Sequence, residues 1–339
     1  MMYGHGNELA LCDCKIIVDF STNIASGVVA PKLVRFLMQE LSCIKNYPEP
    51  EARSLIKNIA NHHNVSDENI IVSNGSNEAF YLVARSFYRK HSLIPIPSFA
   101  EYEDACNVNK HILSFCDNNT ELNDYGRFDM VWIGNPNNPD GKTLPIDRID
   151  ELCKKFVNTC FVVDEAYADL CVGFESCVGL THKYSNLIVI RSMTKLFSIP
   201  GIRLGYIVAN KSIIQNIKQY VIPWSVNALA IKAGNYILKE YANLLPDVNT
   251  ILDNSLKLQT KLNGLSFLEV TQSKCNFFLI KLLKGNSLEL KEFLIREKAL
   301  LIRDASNFKG LDNSWIRVAS QKASYNNFLY ESLKEWSQL

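Results

Sequence analysis

One lysine of the chain lies among residue types that can hold a phosphorylated aldehyde. Lys195 belongs to the segment SMTKLFSIPGIRLGY, residues 192–206, with Ser192 and Thr194 before it and Arg203 eight residues after it. A lysine amine condenses with aldehydes, and hydroxyl and guanidinium groups bind a phosphate dianion through charge-assisted hydrogen bonds. A lone lysine beside a Pro-Gly turn is more often a surface residue, so the whole segment is what indicates a chemical role.

The composition indicates a globular protein whose partner is a small molecule. The chain has 339 residues, 47% of them hydrophobic and 21% charged, and its formal net charge is +1. This length allows a sizeable core, and the balanced charge argues against a nucleic-acid partner. No stretch approaches the ~18 apolar residues of a membrane span, and no secretory signal begins the chain, so we expect a cytoplasmic protein. The ten cysteines fit no CxxC or zinc spacing, so we expect reduced thiols and no metal.

Short apolar runs alternate with amphipathic helical stretches through the middle of the chain. The runs are IIVS (70–73), SLIPI (92–96), MVWIG (130–134), CFVVD (160–164), LIVIR (187–191) and GYIVA (205–209). Strands that are apolar nearly throughout are typical of a sheet covered on both faces. The alternation therefore predicts an α/β fold with a mostly parallel central sheet.

Three parts of the chain differ in pattern. Residues 46–240 hold the alternating strands and helices, which predicts a large domain. Residues 241–339 begin with a long helix and continue with strands and helices, which predicts a smaller α+β domain. Residues 1–45 contain a helix that starts at a proline, predicted over 31–43. We expect this N-terminal arm to join the small domain, and we expect the active site between packed domains.

The lysine segment closely resembles the signature S-x-[ST]-K-x-x-x-x-P-G-[IL]-R-[IL]-G of the class I/II aminotransferases, which use pyridoxal 5'-phosphate. Further motifs follow the order of that family: SNGSNEAF (73–80), PSFAEY (97–102), GNPNNPDG (134–141) and VVDEAY (162–167). The resemblance implies the PLP-dependent transferase fold type I, which is aspartate-aminotransferase-like. It also implies that Lys195 holds the cofactor covalently.

The resemblance assigns residues to the cofactor phosphate. SNGSNEAF corresponds to the phosphate-binding turn of the family, where Gly75 permits a tight turn. The amides of Ser76 and Asn77 then open a helix whose N-terminus attracts phosphate. Tyr47, in NYPEPEAR, matches a tyrosine that reaches the cofactor phosphate of the neighbouring subunit. The resemblance therefore implies a homodimer with active sites at the interface.

The same resemblance assigns residues around the cofactor ring. Phe99 matches the aromatic residue that stacks on the pyridine, and Asn138 and Tyr167 match the pair that binds its 3'-oxygen. Asp164 matches the carboxylate beside the pyridine nitrogen, which keeps that nitrogen protonated because opposite charges favour the charged form. Asp140 stands where the family usually has threonine, and we interpret it as a solvated turn residue.

Within this family the chain most resembles the L-threonine O-3-phosphate decarboxylases, relatives of the histidinol-phosphate aminotransferases. The resemblance rests on DFSTNI (19–24), PWSVNALA (223–230) and LLIRDASNFKGLDNSWIRVAS (300–320), and it covers nearly the whole chain. It implies a lyase that decarboxylates a phosphorylated amino acid. The product would be an amino-alcohol phosphate for the nucleotide loop of cobalamin.

Five residues are candidate substrate ligands by this resemblance. Arg317 matches the arginine that binds the substrate α-carboxylate, for which a guanidinium fork is better suited than lysine. Arg303 and His5 are candidates for the substrate phosphate. Asn23 and Asn276 occupy positions near the catalytic cleft. Each of these last four could equally serve as a structural or solvated residue.

Two departures from the decarboxylase pattern leave alternatives open. Residues 25–27 read Ala-Ser-Gly where the family commonly continues Asn with Pro-Leu-Gly, so L-serine O-phosphate is a second candidate substrate. Tyr167 stands where the decarboxylases often have phenylalanine and the aminotransferases have tyrosine. A histidinol-phosphate-type aminotransferase that uses 2-oxoglutarate is therefore the alternative enzyme. A non-catalytic, cofactor-binding regulatory protein is a third interpretation.

Overall fold

The computed structural model describes residues 15–25, 30–119 and 124–338. His5, a predicted phosphate ligand, lies outside the described residues, as do residues 26 and 27 of the altered loop.

Strands and helices are numbered along the described chain. The strands are β1 (Val18–Asp19), β2 (Ile70–Ser73), β3 (His91–Ile96), β4 (Ile112–Asp117), β5 (Met130–Gly134), β6 (Cys160–Asp164), β7 (Leu187–Ser192), β8 (Gly205–Ala209), β9 (Leu268–Val270), β10 (Phe277–Leu282), β11 (Leu300–Leu301), β12 (Arg303–Asp304) and β13 (Trp315–Ala319). The helices are α1 (Pro31–Glu40), α2 (Arg53–His63), α3 (Gly75–Ser86), α4 (Ala100–Val108), α5 (Ile146–Lys155), α6 (Lys211–Lys218), α7 (Ala228–Lys239), α8 (Tyr241–Leu244), α9 (Val248–Asn263), α10 (Ser287–Lys298) and α11 (Ala323–Trp336).

Seven strands form a central sheet in the order β2-β8-β7-β6-β5-β3-β4. The pairings from β4 to β7 are parallel, and β8 runs antiparallel to both of its neighbours. Strands β2, β6, β7 and β8 are buried at every residue, because successive side chains enter cores on opposite faces of the sheet. The α/β fold with a mostly parallel sheet, predicted from the uniformly apolar runs, is confirmed.

The carboxyl ends of the central strands gather the chemical motifs at one edge. Strands β5, β6 and β7 are parallel neighbours, and they end at Gly134, Asp164 and Ser192. The segments that follow them carry the Asn138 motif, Tyr167 and Lys195. Ligands of open parallel sheets bind at this edge, because loops from adjacent strands converge there.

A second sheet of four antiparallel strands, in the order β12-β13-β10-β9, has two different faces. One face packs in a core with residues of α9, α10 and α11, to which β10 contributes Phe278 and Ile280. Strand side chains alternate between faces, so Phe277 and Leu279 point the other way and enter separate small clusters. This other face carries Arg317 of β13.

The N-terminal segment joins both parts of the molecule. Strand β1 pairs in parallel with β11, whereas α1 lies against α7, where Phe36 stacks on Tyr236 at 4.1 Å between ring centroids. Helix α1 ends at Glu40, and a 3-10 turn, Leu41–Lys45, continues it. The division into an arm (1–45), a large domain (46–240) and a small domain (241–339) remains our proposal.

We predict that Phe20 anchors the arm to the second sheet. Its side chain is fully buried in that core, its N–H donates to Leu301, and its carbonyl accepts from Ala319. Phe20→Ala leaves a cavity and should lower the free energy of unfolding by about 3–5 kcal/mol. Urea denaturation measures the change. Ile17→Ala, at an exposed apolar residue of the same segment, is the control and should change it little.

Candidate active site

Three adjacent strands place small residues at the start of α3. In the sheet register, Gly205 of β8 lies between Ser73 of β2 and Ser192 of β7. A Cβ atom on Gly205 would lie 2.6 Å from the amide nitrogen of Ser76, so only glycine lets the helix start approach the sheet this closely. The Ser192 hydroxyl lies 2.8 Å from that of Thr194. These hydroxyls and the first amides of α3 therefore lie around one glycine.

A guanidinium group completes this cradle. Gly75 has a φ of +78°, and a Cβ atom there would lie 2.5 Å from Nη2 of Arg203. Arg203 itself has a φ of +59° and donates from Nη1 to the carbonyl of Pro200 at 3.2 Å. The first N–H groups of a helix, which include those of Ser76 and Asn77 here, have no intrahelical acceptor, and together with a cation they suit a phosphate dianion. The structure thus brings the predicted phosphate residues of this chain together.

The carboxylate of Asp164 lies in a buried position at the end of β6. Its Oδ2 accepts a hydrogen bond from the Tyr102 hydroxyl at 2.6 Å, and its Oδ1 accepts from the Ala166 N–H at 3.0 Å. Burial raises the pKa of Asp164 to about 6, although both hydrogen bonds and the charge of Lys195 act to lower it. A buried carboxylate with so high a pKa lacks a cationic partner of sufficient strength. A protonated ring nitrogen would be such a partner.

Tyr102 is a site residue that the sequence analysis missed. Its ring is fully buried and stacks on Trp132, with centroids 5.6 Å apart. Burial and the neighbouring Asp164 raise the pKa of Tyr102 well above its usual range, so the hydroxyl stays a donor. The signal available was its position three residues after Phe99, which places the two residues on one face at the start of a helix.

Lys195 lies near the predicted ring residues. Its Nζ is 5.6 Å from the centroid of the Tyr167 ring, and its backbone carbonyl accepts from the Ala25 N–H at 2.9 Å. The Tyr167 ring packs edge-on against Phe277 of the second sheet at 4.8 Å. Phe99 is half-buried and meets the Tyr102 ring at 87°. Lys195, Tyr167 and Phe99 therefore lie near the buried carboxylate of Asp164.

Arg317 connects the second sheet to the predicted ring site. Its Nη1 donates to Oδ1 of Asn138 at 2.6 Å, and its Nη2 donates to the backbone carbonyl of Ser21. Its Nε is buried without a partner among the described residues. Burial lowers the pKa of Arg317 to about 10, and the charge of Arg303 lowers it further, while Tyr167 acts in the opposite direction. The two hydrogen bonds hold the guanidinium in place, and within the described part of the chain the charge of Asp19 offsets the effect of burial on its pKa only in part.

Arg303 lies beside Arg317, because the two residues are cross-strand partners in the β12–β13 register. Arg303 is buried, donates to Asn307 at 2.9 Å, and lies over the Phe308 ring at 5.6 Å. Burial lowers the pKa of Arg303 as well. Two buried cations on one face of a sheet repel each other, and a bound anion would offset this repulsion.

Two asparagines have unsatisfied polar atoms near these cations. Both amide atoms of Asn23 are buried without a partner among the described residues, and so is Oδ1 of Asn276. Nδ2 of Asn276 donates to the carbonyl of Ile24 at 3.2 Å. Buried polar groups are nearly always hydrogen-bonded, so these atoms are available to a polar ligand or to water.

Tyr47 lies on the surface of the single chain, with 87% of the residue exposed, and its ring contacts Trp224 at 5.6 Å. The structure therefore does not bury Tyr47 with the phosphate cradle of its own chain. Its assignment to the site of a neighbouring subunit remains a prediction.

The interpretation of Asp140 as a solvated residue is wrong. Asp140 is 3% exposed, and its carboxylate accepts from the Asn137 and Asn118 side-chain amides, each at 2.7 Å, and from the Lys142 N–H at 3.1 Å. Burial raises its pKa, although these hydrogen bonds act to lower it. The turn folds against the end of β4, where the donors replace water. Asp140 thereby fixes the turn that presents Asn138.

Comparison with known proteins identifies the family. The chain matches the family Aminotransferase class I and II over residues 15–328, and it belongs to this family. The crystal structure of L-threonine-O-3-phosphate decarboxylase from Porphyromonas gingivalis superimposes with a TM-score of 0.93 at 38% identity, covering 95% of this chain and all of that one. Threonine-phosphate decarboxylase of Salmonella typhimurium is 29% identical over 94% of this chain and 90% of its own length.

An aminotransferase is also similar. The histidinol-phosphate aminotransferase from Clostridium acetobutylicum superimposes with a TM-score of 0.87 at 29% identity, covering 95% of this chain and 99% of that one. The family implies dependence on pyridoxal phosphate. The residues of this chain fit that group, because a buried carboxylate, a lysine and a phosphate-sized cradle of amides, hydroxyls and a guanidinium lie at one sheet edge.

Two further searches of the described residues concern membranes and metals. None of their helices is both long and apolar enough to cross a bilayer. No cluster of three or more metal-ligating side chains occurs among the same residues.

Because the pKa of Asp164 is raised, we predict that the cofactor-free protein loses stability as this carboxyl group ionises. A carboxylate whose folded pKa is raised favours folding when protonated, so stability is full below about pH 4 and is lost as the pH rises through about 6. Asp164→Asn removes this loss and should stabilise the cofactor-free protein at pH 8 by up to about 3 kcal/mol. Urea denaturation at pH 4 and pH 8 measures the difference.

The matched control for this prediction is Asp253→Asn, which changes an exposed carboxylate. We expect it to have little effect at either pH. Equal stability of Asp164→Asn and the parent protein at pH 8 would contradict the account of Asp164 as a carboxylate that is costly to ionise.

Proposed function

We propose that the protein decarboxylates a phosphorylated amino acid, L-threonine O-3-phosphate or L-serine O-phosphate, with pyridoxal 5'-phosphate as cofactor. The product is the corresponding amino-alcohol phosphate, which the resemblance places in the cobamide nucleotide loop. The observation that carries the substrate class is the buried pair Arg303 and Arg317 on one face of the second sheet. A phosphorylated amino acid brings two anions, a carboxylate and a phosphate, to two adjacent cations.

Each expected contact with the cofactor is assigned to a residue of the site. When bound, pyridoxal phosphate supplies an aldehyde that reacts with amines and a ring that accepts electrons from the substrate α-carbon. Lys195 would hold it covalently, and Asp164 would pair with the protonated ring nitrogen. Asn138 and Tyr167 would bind the 3'-oxygen, while Phe99 would stack on the ring. Ser192, Thr194, Arg203, Gly75, Ser76 and Asn77 would bind the phosphate.

Arg317 and Lys195 would have separate roles toward the substrate. The Arg317 guanidinium would bind and orient the α-carboxylate, and the unsatisfied atoms of Asn23 and Asn276 would complete its surroundings. The bond that breaks joins the α-carbon to this carboxylate, and CO2 leaves. Lys195 Nζ then donates a proton to the α-carbon as general acid. His5 and Arg303 remain the candidate ligands of the substrate phosphate.

Transamination is the second candidate, because Tyr167 has the residue type of the aminotransferases and one such enzyme superimposes on this chain. The two reactions require the same cofactor, and they differ in the bond of the α-carbon that breaks. An aminotransferase needs a 2-oxo acid to accept the amino group, and a decarboxylase does not. Histidinol phosphate lacks a carboxylate, so it would bring one anion rather than two to Arg303 and Arg317.

A homodimer is part of the proposal. Exposed apolar side chains form a run along the outer surface of α1 and the turn after it, including Met38, Leu41 and Ile44. Tyr47 follows this run, and the exposed Trp224 contacts it. Contiguous exposed apolar residues mark protein interfaces. A second copy bound here would cover these residues and could direct Tyr47 towards the cofactor phosphate of its partner.

One experiment separates the two candidate reactions. The purified holoenzyme is incubated with L-threonine O-phosphate and L-serine O-phosphate in separate tubes without any 2-oxo acid, and CO2 and amine phosphate are measured. We expect both products, and the faster tube identifies the substrate. Lys195→Ala should lose turnover and also the absorbance of the lysine-bound cofactor. Turnover of histidinol phosphate only after 2-oxoglutarate is added would establish transamination instead.

We predict that Arg317→Lys weakens substrate binding. A lysine keeps the charge but loses the guanidinium fork that now engages Asn138 and Ser21. Loss of one charged hydrogen bond costs about 1.5–3 kcal/mol, so kcat/KM should fall roughly ten- to a hundred-fold. Arg296→Lys, at an exposed arginine of α10, is the control and should keep the parent value. An unchanged kcat/KM in Arg317→Lys would exclude Arg317 as the carboxylate ligand.

A further inference from the structure

Two cysteines face each other where the segment after β6 meets the segment before β10. Cys171 follows Tyr167 by four residues, and Cys275 immediately precedes Asn276. The two residues form an isolated antiparallel bridge, and the flanking Val172 N–H donates to the carbonyl of Lys274 at 2.9 Å. Both are free thiols, both are buried, and both belong to one apolar cluster with Tyr167.

The backbone geometry of this pair suits a covalent bond. The flanking hydrogen bond makes Cys171 and Cys275 a non-hydrogen-bonded antiparallel pair, in which Cα atoms lie about 4.5 Å apart and side chains are closest. Disulfides join Cα atoms at about 4.4–6.8 Å. The backbone therefore needs no rearrangement for a disulfide, whereas the thiols must rotate away from the carbonyls of Val172 and Gly141, which lie 4.0 and 3.8 Å from Cys171 Sγ and Cys275 Sγ.

The two thiols also differ in acidity, which affects how readily each is oxidised. The hydrogen bond from the Cys275 thiol lowers the pKa of Cys171, and the charge of Lys274 acts in the same direction. Burial, together with the Cys171 thiol, raises the pKa of Cys275 well above its usual range. Thiolates are the nucleophiles in thiol oxidation, and these directions favour Cys171 as the attacking thiol.

We propose that Cys171 and Cys275 are a disulfide-forming site that covalently joins the two sides of the active site when the protein meets a peroxide. Hydrogen peroxide takes two electrons from the two thiols. Its oxygen–oxygen bond breaks, the sulfur–sulfur bond forms, and the two thiol protons leave in two water molecules. A thiol reductant reverses the reaction through thiol–disulfide exchange.

The bond has a consequence that rests on the proposed function. It would tie the segment that carries Tyr167 to the segment that carries Asn276, and these residues contribute to opposite sides of the site. Active sites between packed parts open and close around their ligands, and a covalent tie restricts this motion. The oxidised holoenzyme should therefore lose turnover, and dithiothreitol should restore it.

The test treats the holoenzyme with hydrogen peroxide and then measures intact mass and maps tryptic peptides under non-reducing conditions. We expect the loss of two hydrogen atoms and a cross-link between peptides 156–183 and 275–281. Peptide 156–183 also contains Cys160 and Cys177, so Cys171→Ser decides which cysteine reacts. This variant should lose the cross-link, and Cys153→Ser, at a buried thiol of α5, should keep it.

Three results would overturn parts of the inference. Absence of the cross-link in the oxidised parent protein, or its persistence in Cys171→Ser, would exclude the site. Unchanged turnover of fully cross-linked protein would exclude the restriction of the active site. If the reduced protein turns over neither phosphorylated amino acid, the proposed function fails, whereas the mass and peptide measurements still decide whether the bond forms.

Discussion

The carboxylate of Asp164 is buried, so a negative charge on it is costly, and the surrounding structure reduces that cost. Strand β6 is buried along its whole length and delivers the carboxylate to the edge of the sheet. Tyr102, held by its stack on Trp132, donates one hydrogen bond, and the backbone of Ala166 donates another. These contacts leave the pKa of Asp164 near 6, so a cationic ring fits the remaining need.

The hydrogen bond from Arg317 to Asn138 connects the cofactor site to the second sheet. Asn138 sits on the turn that Asp140 fixes from inside, and Arg317 reaches it from β13. The same guanidinium engages the backbone of Ser21 in the N-terminal segment. One side chain thus joins three separate stretches of the chain at the point where a carboxylate would bind. Its orientation depends on all three stretches being in place.

The sequence predicts the residues of local motifs far better than the contacts between motifs. The apolar runs predict the central sheet because strand burial leaves a mark in each segment. The turn of the phosphate cradle is similarly local, since Gly75 and Ser76 are consecutive, whereas its contact with Arg203 is not. The bond from Tyr102 to Asp164, by contrast, joins residues of two separate motifs, and the spacing of either motif contains no information about the other.

Asp140 and the pair Cys171 and Cys275 are further cases in which the sequence does not predict a contact between distant segments. A charged residue in a Pro-Asp-Gly turn is usually solvated, and only the fold shows that amides from a distant strand end replace the water. Cys171 and Cys275 fit no spacing rule, because their proximity results from two sheets meeting rather than from a local turn. Tertiary contacts decide both cases, and no window of sequence contains them.

Under the proposed function, Lys195 and Asp164 would serve decarboxylation and transamination alike, since each reaction needs a covalently held cofactor and a charged ring. The choice between the two reactions would then depend on Tyr167 and on the substrate anchors of the second sheet. The bond that breaks is the one that the substrate anchors hold perpendicular to the ring. If Arg303 and Arg317 bind the two substrate anions as proposed, their positions on adjacent strands would set the orientation of the substrate. Under the same proposal, a change in the relative position of these two arginines would alter the reaction and leave the residues of the cofactor site in place.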